Sequence, residues 1–356
     1  MKRFQIVLIV IPLLYWAGCG DDENEDNPVI PGRKIYIAGS DEDGACYWVN
    51  GSRVELPGGD WATDIVVVDG DVYTSGTCGE YACYWINQER FDLPGTWGEG
   101  EAIAVDGDDV YVAGWFEING GYPASCYWKN GQQINLTTNG ESMAFAIGIR
   151  NNGDVYVGGY YMSNHHYYVP CFWKNGNNRS NLPAAEDGEV YDITFDETGN
   201  MRYYAGNTTK LDNFAGYPPK ACYWRHKTRT DLPLGGSSMD IYGSYAKGIT
   251  IDGDDVYVAG YTDWYEFTGE EETSGGYFPQ YWKNSTIHDL EGGSMTDFGT
   301  GLANDIRVAD GNVVVVGMAT GGPTGESACY WLNGELNYLE DVIGEYSSEA
   351  KGVFIE

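Results

Sequence analysis

Beyond residue 32, an aromatic residue followed by tryptophan occurs seven times in this chain: Tyr47-Trp48, Tyr84-Trp85, Tyr127-Trp128, Phe172-Trp173, Tyr223-Trp224, Tyr281-Trp282 and Tyr330-Trp331. Each pair sits in a similar setting, so the chain is a series of stacked units that cannot bury their faces singly. The unit is clearest at 101–131, EAIAVDGDDVYVAGWFEINGGYPASCYWKNG, and returns from Ala144 and from Ala246. It contains four short runs. The first ends in Asp-Gly or Asn-Gly (103–107), the second is 110–114, the third is 126–131, and the fourth closes near Leu136. Runs rich in Val, Ile, Tyr and Trp, bounded by such turns, are antiparallel strands joined by tight hairpins. They are apolar almost throughout and do not alternate, so both faces of each sheet must be covered.

These properties predict an all-β chain: a seven-bladed β-propeller of four-stranded antiparallel blades. The two ends are complementary. Residues 33–39 match the second strand of a unit, whereas 350–356 match an opening strand such as 246–252. The C-terminal strand is therefore expected to complete the N-terminal blade, with Val353–Ile355 beside Ile35–Ala38, removing an open edge.

Ahead of the propeller, assigned to 33–356, Lys2 and Arg3 precede an apolar stretch from Ile6 to Trp16, then Ala17-Gly18-Cys19. This reads as an export signal over 1–18. The small pair before Cys19 resembles the lipobox of bacterial lipoproteins, with Trp16 in place of the usual Leu. That resemblance implies acylation of Cys19. The acidic run 21–26 then forms a tether over 19–32, similar to those that route lipoproteins to the outer face of some outer membranes. The expected location is the outer membrane, lipid-anchored and surface-exposed.

Without Lys2 and Arg3, 18 basic residues face 53 acidic ones. A net charge of −35 repels nucleic acid and anionic lipid, leaving the N-terminal lipid as the expected membrane contact. Of eight cysteines, Cys46, Cys83, Cys126, Cys171, Cys222 and Cys329 occupy one slot before the aromatic-Trp pair. Equivalent slots on stacked sheets lie about 10 Å apart, too far for bridging. Only Cys78 and Cys83 could pair, and the sequence leaves that open.

Loop length points to function. Between the second and third strands the insertions range from 6 residues (40–45) to 19 (261–279), while the turns at the opposite end stay short. Long loops on a rigid scaffold carry sites. The elaborated end is also aromatic, with Trp61 and Trp97 in blade-to-blade connections. Blades four to six hold the longest insertions, so the expected ligand-binding residues are His166, Tyr167, Tyr217, Trp264, Tyr265 and Tyr277. Residues nearer the strands, Tyr160 and Tyr261 first, are expected to pack internally. Aromatic rings with polar tips suit sugars or protein surfaces.

Two groups of residues carry chemical signatures. The pairs Asp69/Asp71, Asp106/Asp108 and Asp252/Asp254 lie where Asp-Gly serves the turn itself, and no EF-hand spacing accompanies them. No metal or cofactor is expected. His165, His166 and Tyr167 could supply acid–base chemistry for a polysaccharide lyase or hydrolase.

The small-aromatic-Trp strand, with Ala45-Cys46-Tyr47-Trp48 and six counterparts, resembles the HAF-type repeats of exported bacterial proteins, although the family's His is missing from every unit. The resemblance implies an exported propeller and brings no catalytic residues. The leading expectation is a monomeric, non-catalytic surface lipoprotein binding an extracellular glycan or protein. The alternatives are the lyase or hydrolase above and a scaffold subunit of an outer-membrane complex.

Overall fold

A computed structural model describes residues 28–356 apart from 119, 138–139, 185–186, 210, 213–214, 217, 235–239, 269–270, 293–299, 323–324 and 340–346. At 211–212, 215–216, 240–242, 265–268, 271–274 and 322 it describes the backbone alone. Strands dominate, in seven four-stranded antiparallel sheets and one two-stranded ribbon, Leu211–Asp212 with Ala215–Gly216. Six sheets are sequential meanders, and the seventh joins the chain ends. In that sheet Glu349–Ile355 pairs with Ile35–Asp41, placing Val353 opposite Ile37 and Ile355 opposite Ile35, as the sequence predicts. The fold is a seven-bladed propeller.

Seven apolar clusters hold the blades together, one at each seam. The cluster of Ile35, Ile37, Trp48, Val314, Val316, Tyr330 and Val353 joins the last blade to the first. Ile30 is also buried there, and the Tyr330 hydroxyl donates to the Pro28 carbonyl at 2.8 Å. The packed region thus begins ahead of residue 33.

The repeating tryptophans explain the repeat. All seven are at most 1% exposed. Five of their indole N–H groups, those of Trp85, Trp128, Trp224, Trp282 and Trp331, reach the previous blade just past its fourth strand, as Trp128 donates to Pro94 O at 2.8 Å and Trp331 to Glu291 O at 2.7 Å. Each indole thus fills a seam, and those five also pin the neighbour's exit.

The glycine ending the second strand has an equally local cause. A Cβ on Gly76 would lie 2.0 Å from Trp61 O, and one on Gly114 1.9 Å from Glu99 O. The inner strand bulges at this level in every blade, bringing its carbonyl against the second strand. Only glycine fits so close an approach.

At the short-turn end, Asn50, Asn87, Asn130, Asn175, Asn284 and Asn333 adopt positive φ. Each accepts the backbone N–H that opens the second strand, as Asn130 does from Val110 at 2.8 Å. The aspartates considered for calcium lie in or beside the first hairpin of a blade, at the same end. Among the second-strand aspartates there, Asp109 is bound by Lys129 and Asn130, and Asp255 by Lys283 and Asn284.

The elaborated end differs from a set of loops. Its insertions largely prolong the second and third strands, as in Asp109–Ile118 with Tyr122–Lys129 and Asp255–Thr268 with Glu271–Lys283. Cys78 and Cys83 are bridged across their short hairpin, with Cα atoms 5.9 Å apart. Cys126, Cys171, Cys222 and Cys329 are buried thiols, their pKa values raised by burial.

Candidate functional site

The bulge that demands glycine outside also builds a site inside. Each inner strand inserts one extra residue: Thr63, Glu101, Phe145, Tyr191, Lys247, Asn304 and Lys351. All seven line one axial cavity of about 260 Å³, and all are half-buried. The Lys351 ammonium is 2.7 Å from Glu349, and Asn304 donates to the same carboxylate at 2.8 Å. The Lys247 ammonium lies 3.5 Å from the Tyr191 ring centre, and Tyr191 donates to Glu189. Trp115 donates to Glu101 at 3.3 Å.

Burial controls the charges of this ring. It pushes Glu101 up to about 7, reinforced by Glu99, and Lys247 down to about 8. Beneath the ring lie Asp64, Asp192 and Asp305, raised by burial, with Asp64 at about 6. Each clamps the next blade: Asp64 accepts from Ile103 N at 3.0 Å, Asp192 from Ile249 N at 2.8 Å, and Asp305 from Val353 N at 3.0 Å. Arg307 donates to Asp305 at 2.7 Å and supplies countercharge to all three. Because these carboxylates hold backbone across seams, they are structural.

The elaborated face carries a second feature. Trp61 and Trp97, 49% and 50% exposed, line a groove of about 560 Å³ with Asp41, Glu42, Asp60 and Glu99. Trp97 is held edge-on against buried Trp115, with ring centres 5.5 Å apart. Two accessible indoles among carboxylates can offer flat apolar faces and hydrogen-bond acceptors together.

The residues expected in blades four to six fare unequally. His166 lies at positive φ in the turn closing Val155–Met162 onto Tyr168–Lys174. Beside it Tyr167 is 36% exposed, with its ring 6.5 Å from that of His165. Tyr277 is also 36% exposed and meets Tyr261 edge-on at 5.4 Å. Trp264 lies inside a prolonged strand, not mid-loop. It is 2% exposed and stacked on Phe278 at 5.5 Å, which covers its face. Tyr217 and the Tyr265 side chain lie outside the described residues, as does Cys19. Tyr160 is buried, as its place beside a strand suggested. Among the described residues, no ring contact joins the blade-four group to Tyr277.

Sequence reasoning overlooked the axial ring and underrated Trp61 and Trp97. The ring had a signal: its members stand two residues before the aligned Ile65, Ile103, Ile147, Ile193, Ile249, Ile306 and Val353.

No protein-family model matches the chain, and no curated protein does. Among solved structures it is similar to an extracellular domain attributed to a one component system from B. thetaiotaomicron, at 9% identity and a TM-score of 0.45. That match covers 80% of this chain but only 37% of the other. It is also similar to an arabinanase from Bacillus subtilis, at 11% identity, with 64% and 93% of the two chains covered and a TM-score of 0.32. A mutant of AofleA from Arthrobotrys oligospora matches at 10% identity over 91% and 92% of the chains, with a TM-score of 0.39. These likenesses concern the propeller fold and decide nothing about a ligand.

Proposed function

We propose that this protein is a non-catalytic, exported propeller, held at the cell surface through acylated Cys19, that binds a neutral extracellular glycan on its elaborated face. The observation that carries this reading is the groove in which exposed Trp61 and Trp97 stand among Asp60, Glu42 and Glu99. Indole faces stack on sugar rings at low side-chain entropy cost, and carboxylates accept from sugar hydroxyls. A charge of −35 is compatible with neutral sugars and opposes acidic ones at long range. Tyr167, His166 and Tyr277 remain accessible as outlying contacts for a longer chain, whereas covered Trp264 serves the hairpin's packing.

A glycan array probed with soluble protein tests this directly. Once a neutral ligand is found, Trp61→Ala and Trp97→Ala are each expected to weaken it at least about tenfold, as removal of a central aromatic does. Tyr167→Ala and Tyr277→Ala should have smaller effects. Unchanged affinity in both tryptophan variants would move the ligand elsewhere.

A further inference from the structure

The extra residues of the inner strands set opposite charges against each other across the axis. Glu101 comes from blade three and Lys247 from blade six of the seven, and both line the axial cavity. Neither has a counter-ion in contact among the described residues. The Lys247 ammonium forms no ion pair there and rests on the Tyr191 ring, 3.5 Å from its centre. The carboxylates of Glu189, Glu101 and Glu349 act on it only from a distance, and Lys351 opposes them. The Glu101 carboxylate accepts from Trp115 at 3.3 Å and otherwise meets the carboxyl group of Glu99. Burial therefore works against both charges, holding Glu101 up at about 7 and Lys247 down at about 8. Lys351 and Asn304, by contrast, are both engaged with Glu349, at 2.7 and 2.8 Å. Between blades three and six the wall is aromatic. Phe145 on blade four has its ring centre 5.5 Å from that of Tyr191, above the aliphatic side chains of Ile147 and Ile193.

A cavity of about 260 Å³ falls below the roughly 300–1,000 Å³ of pockets for drug-sized ligands, so it suits a small metabolite. A simple anion would be opposed by Glu101, Glu189 and Glu349, and a simple cation by Lys247 and Lys351. Among the described residues, no group of three or more acidic, His or Cys side chains is placed to hold a metal ion. A molecule that carries both charges supplies each buried group with the counter-ion it lacks, and leaves no buried charge uncompensated. We propose that the axial cavity binds a free amino acid with an apolar side chain, whose carboxylate meets Lys247, whose ammonium meets Glu101, and whose side chain lies against Phe145. Glu99 lines the groove of Trp61 and Trp97, but the groove shares none of these three contacts. The amino acid is therefore expected to bind whether or not a glycan does.

Calorimetry of the full chain tests it with leucine and phenylalanine, the amide and the deaminated acid of each, and glucose. At least one of the two amino acids should bind. Its amide, which lacks the carboxylate, and its deaminated acid, which lacks the ammonium, should each bind at least about tenfold more weakly, because each leaves one buried charge unpaired. Lys247→Gln should erase the preference over the amide, and Glu101→Gln the preference over the deaminated acid. A merely structural role would leave both ratios where they are. Arg90→Gln, on the outermost strand of blade two, should change nothing. The proposal is overturned if neither amino acid binds, if the amide and deaminated acid bind as tightly, if glucose does, or if both variants fold and keep the parent's preferences. The comparison of derivatives on the parent needs no variant, so it decides the matter even where a variant fails to fold.

Discussion

One amide side chain at the short-turn end shows how much of this fold rests on single residues. Asn130 accepts from Val110 N at 2.8 Å, donates to Asp109 at 2.7 Å, and holds a φ of 49° that most residues avoid. Replacing it with alanine removes both bonds and keeps the strained backbone. Asn130→Ala should lower stability by about 1–3 kcal/mol in urea unfolding, with no change in ligand affinity at the far face. Glu101 offers a different test. Its folded pKa of about 7, and that of Asp64 at about 6, lie above the values expected in the unfolded chain. The native state therefore binds more protons between the two values. This contribution to stability is complete below about pH 4 and is lost as pH rises through about 6 to 7. Stability should fall from about pH 5 to about pH 7.5, and Glu101→Gln should flatten that fall by about 1 kcal/mol, allowing for the residue's partial exposure. An unchanged slope would show that the axial carboxylate does not titrate there.

Among elements, the strand Glu349–Ile355 bears the most, since it pairs with Ile35–Asp41 and buries Ala350 and Val353 at the closing seam. Deleting 350–356 removes an inner strand and opens the ring, so stability should drop by several kcal/mol, about 5 or more. A deletion variant that melts with the parent would contradict closure. This strand was legible because its residues repeat 246–252, and blade number was legible from the aromatic-Trp pairs. The axial ring was hard to read for a physical reason. A bulge adds one residue and breaks the two-residue alternation. Its seven members share no chemistry, running from Thr63 and Phe145 to Lys247 and Glu101, so only their distance from the aligned aliphatics betrays them. Trp264 is hard to place from sequence because a long insertion reads as a loop, whereas here it prolongs the hairpin. Trp61 and Trp97 were visible as connection residues, but loop length favoured other blades.

For the whole molecule, the reading of Cys19 as a lipid anchor makes a cellular prediction. Two or more acyl chains hold a protein on a bilayer far better than one. Cys19→Ser should therefore shift the protein from the membrane to the soluble fraction, and mass spectrometry should find lipid on the parent. Persistent membrane association with no lipid on the parent would overturn the anchor. The path of the chain into the ring then acquires a directional meaning. Arg33 is bonded to Asp310 in a short turn of blade seven, and Lys34 exchanges backbone hydrogen bonds with Glu356, so the chain enters on the short-turn face. A molecule leashed by its N-terminus would stand like a dish on a stalk. The underside, with Lys174 and Lys227, would look back toward the cell envelope, and the rim with Trp61 and Trp97 would look outward. Such a dish would hold its tryptophan groove clear of the surface that carries it, turned toward sugars arriving from outside.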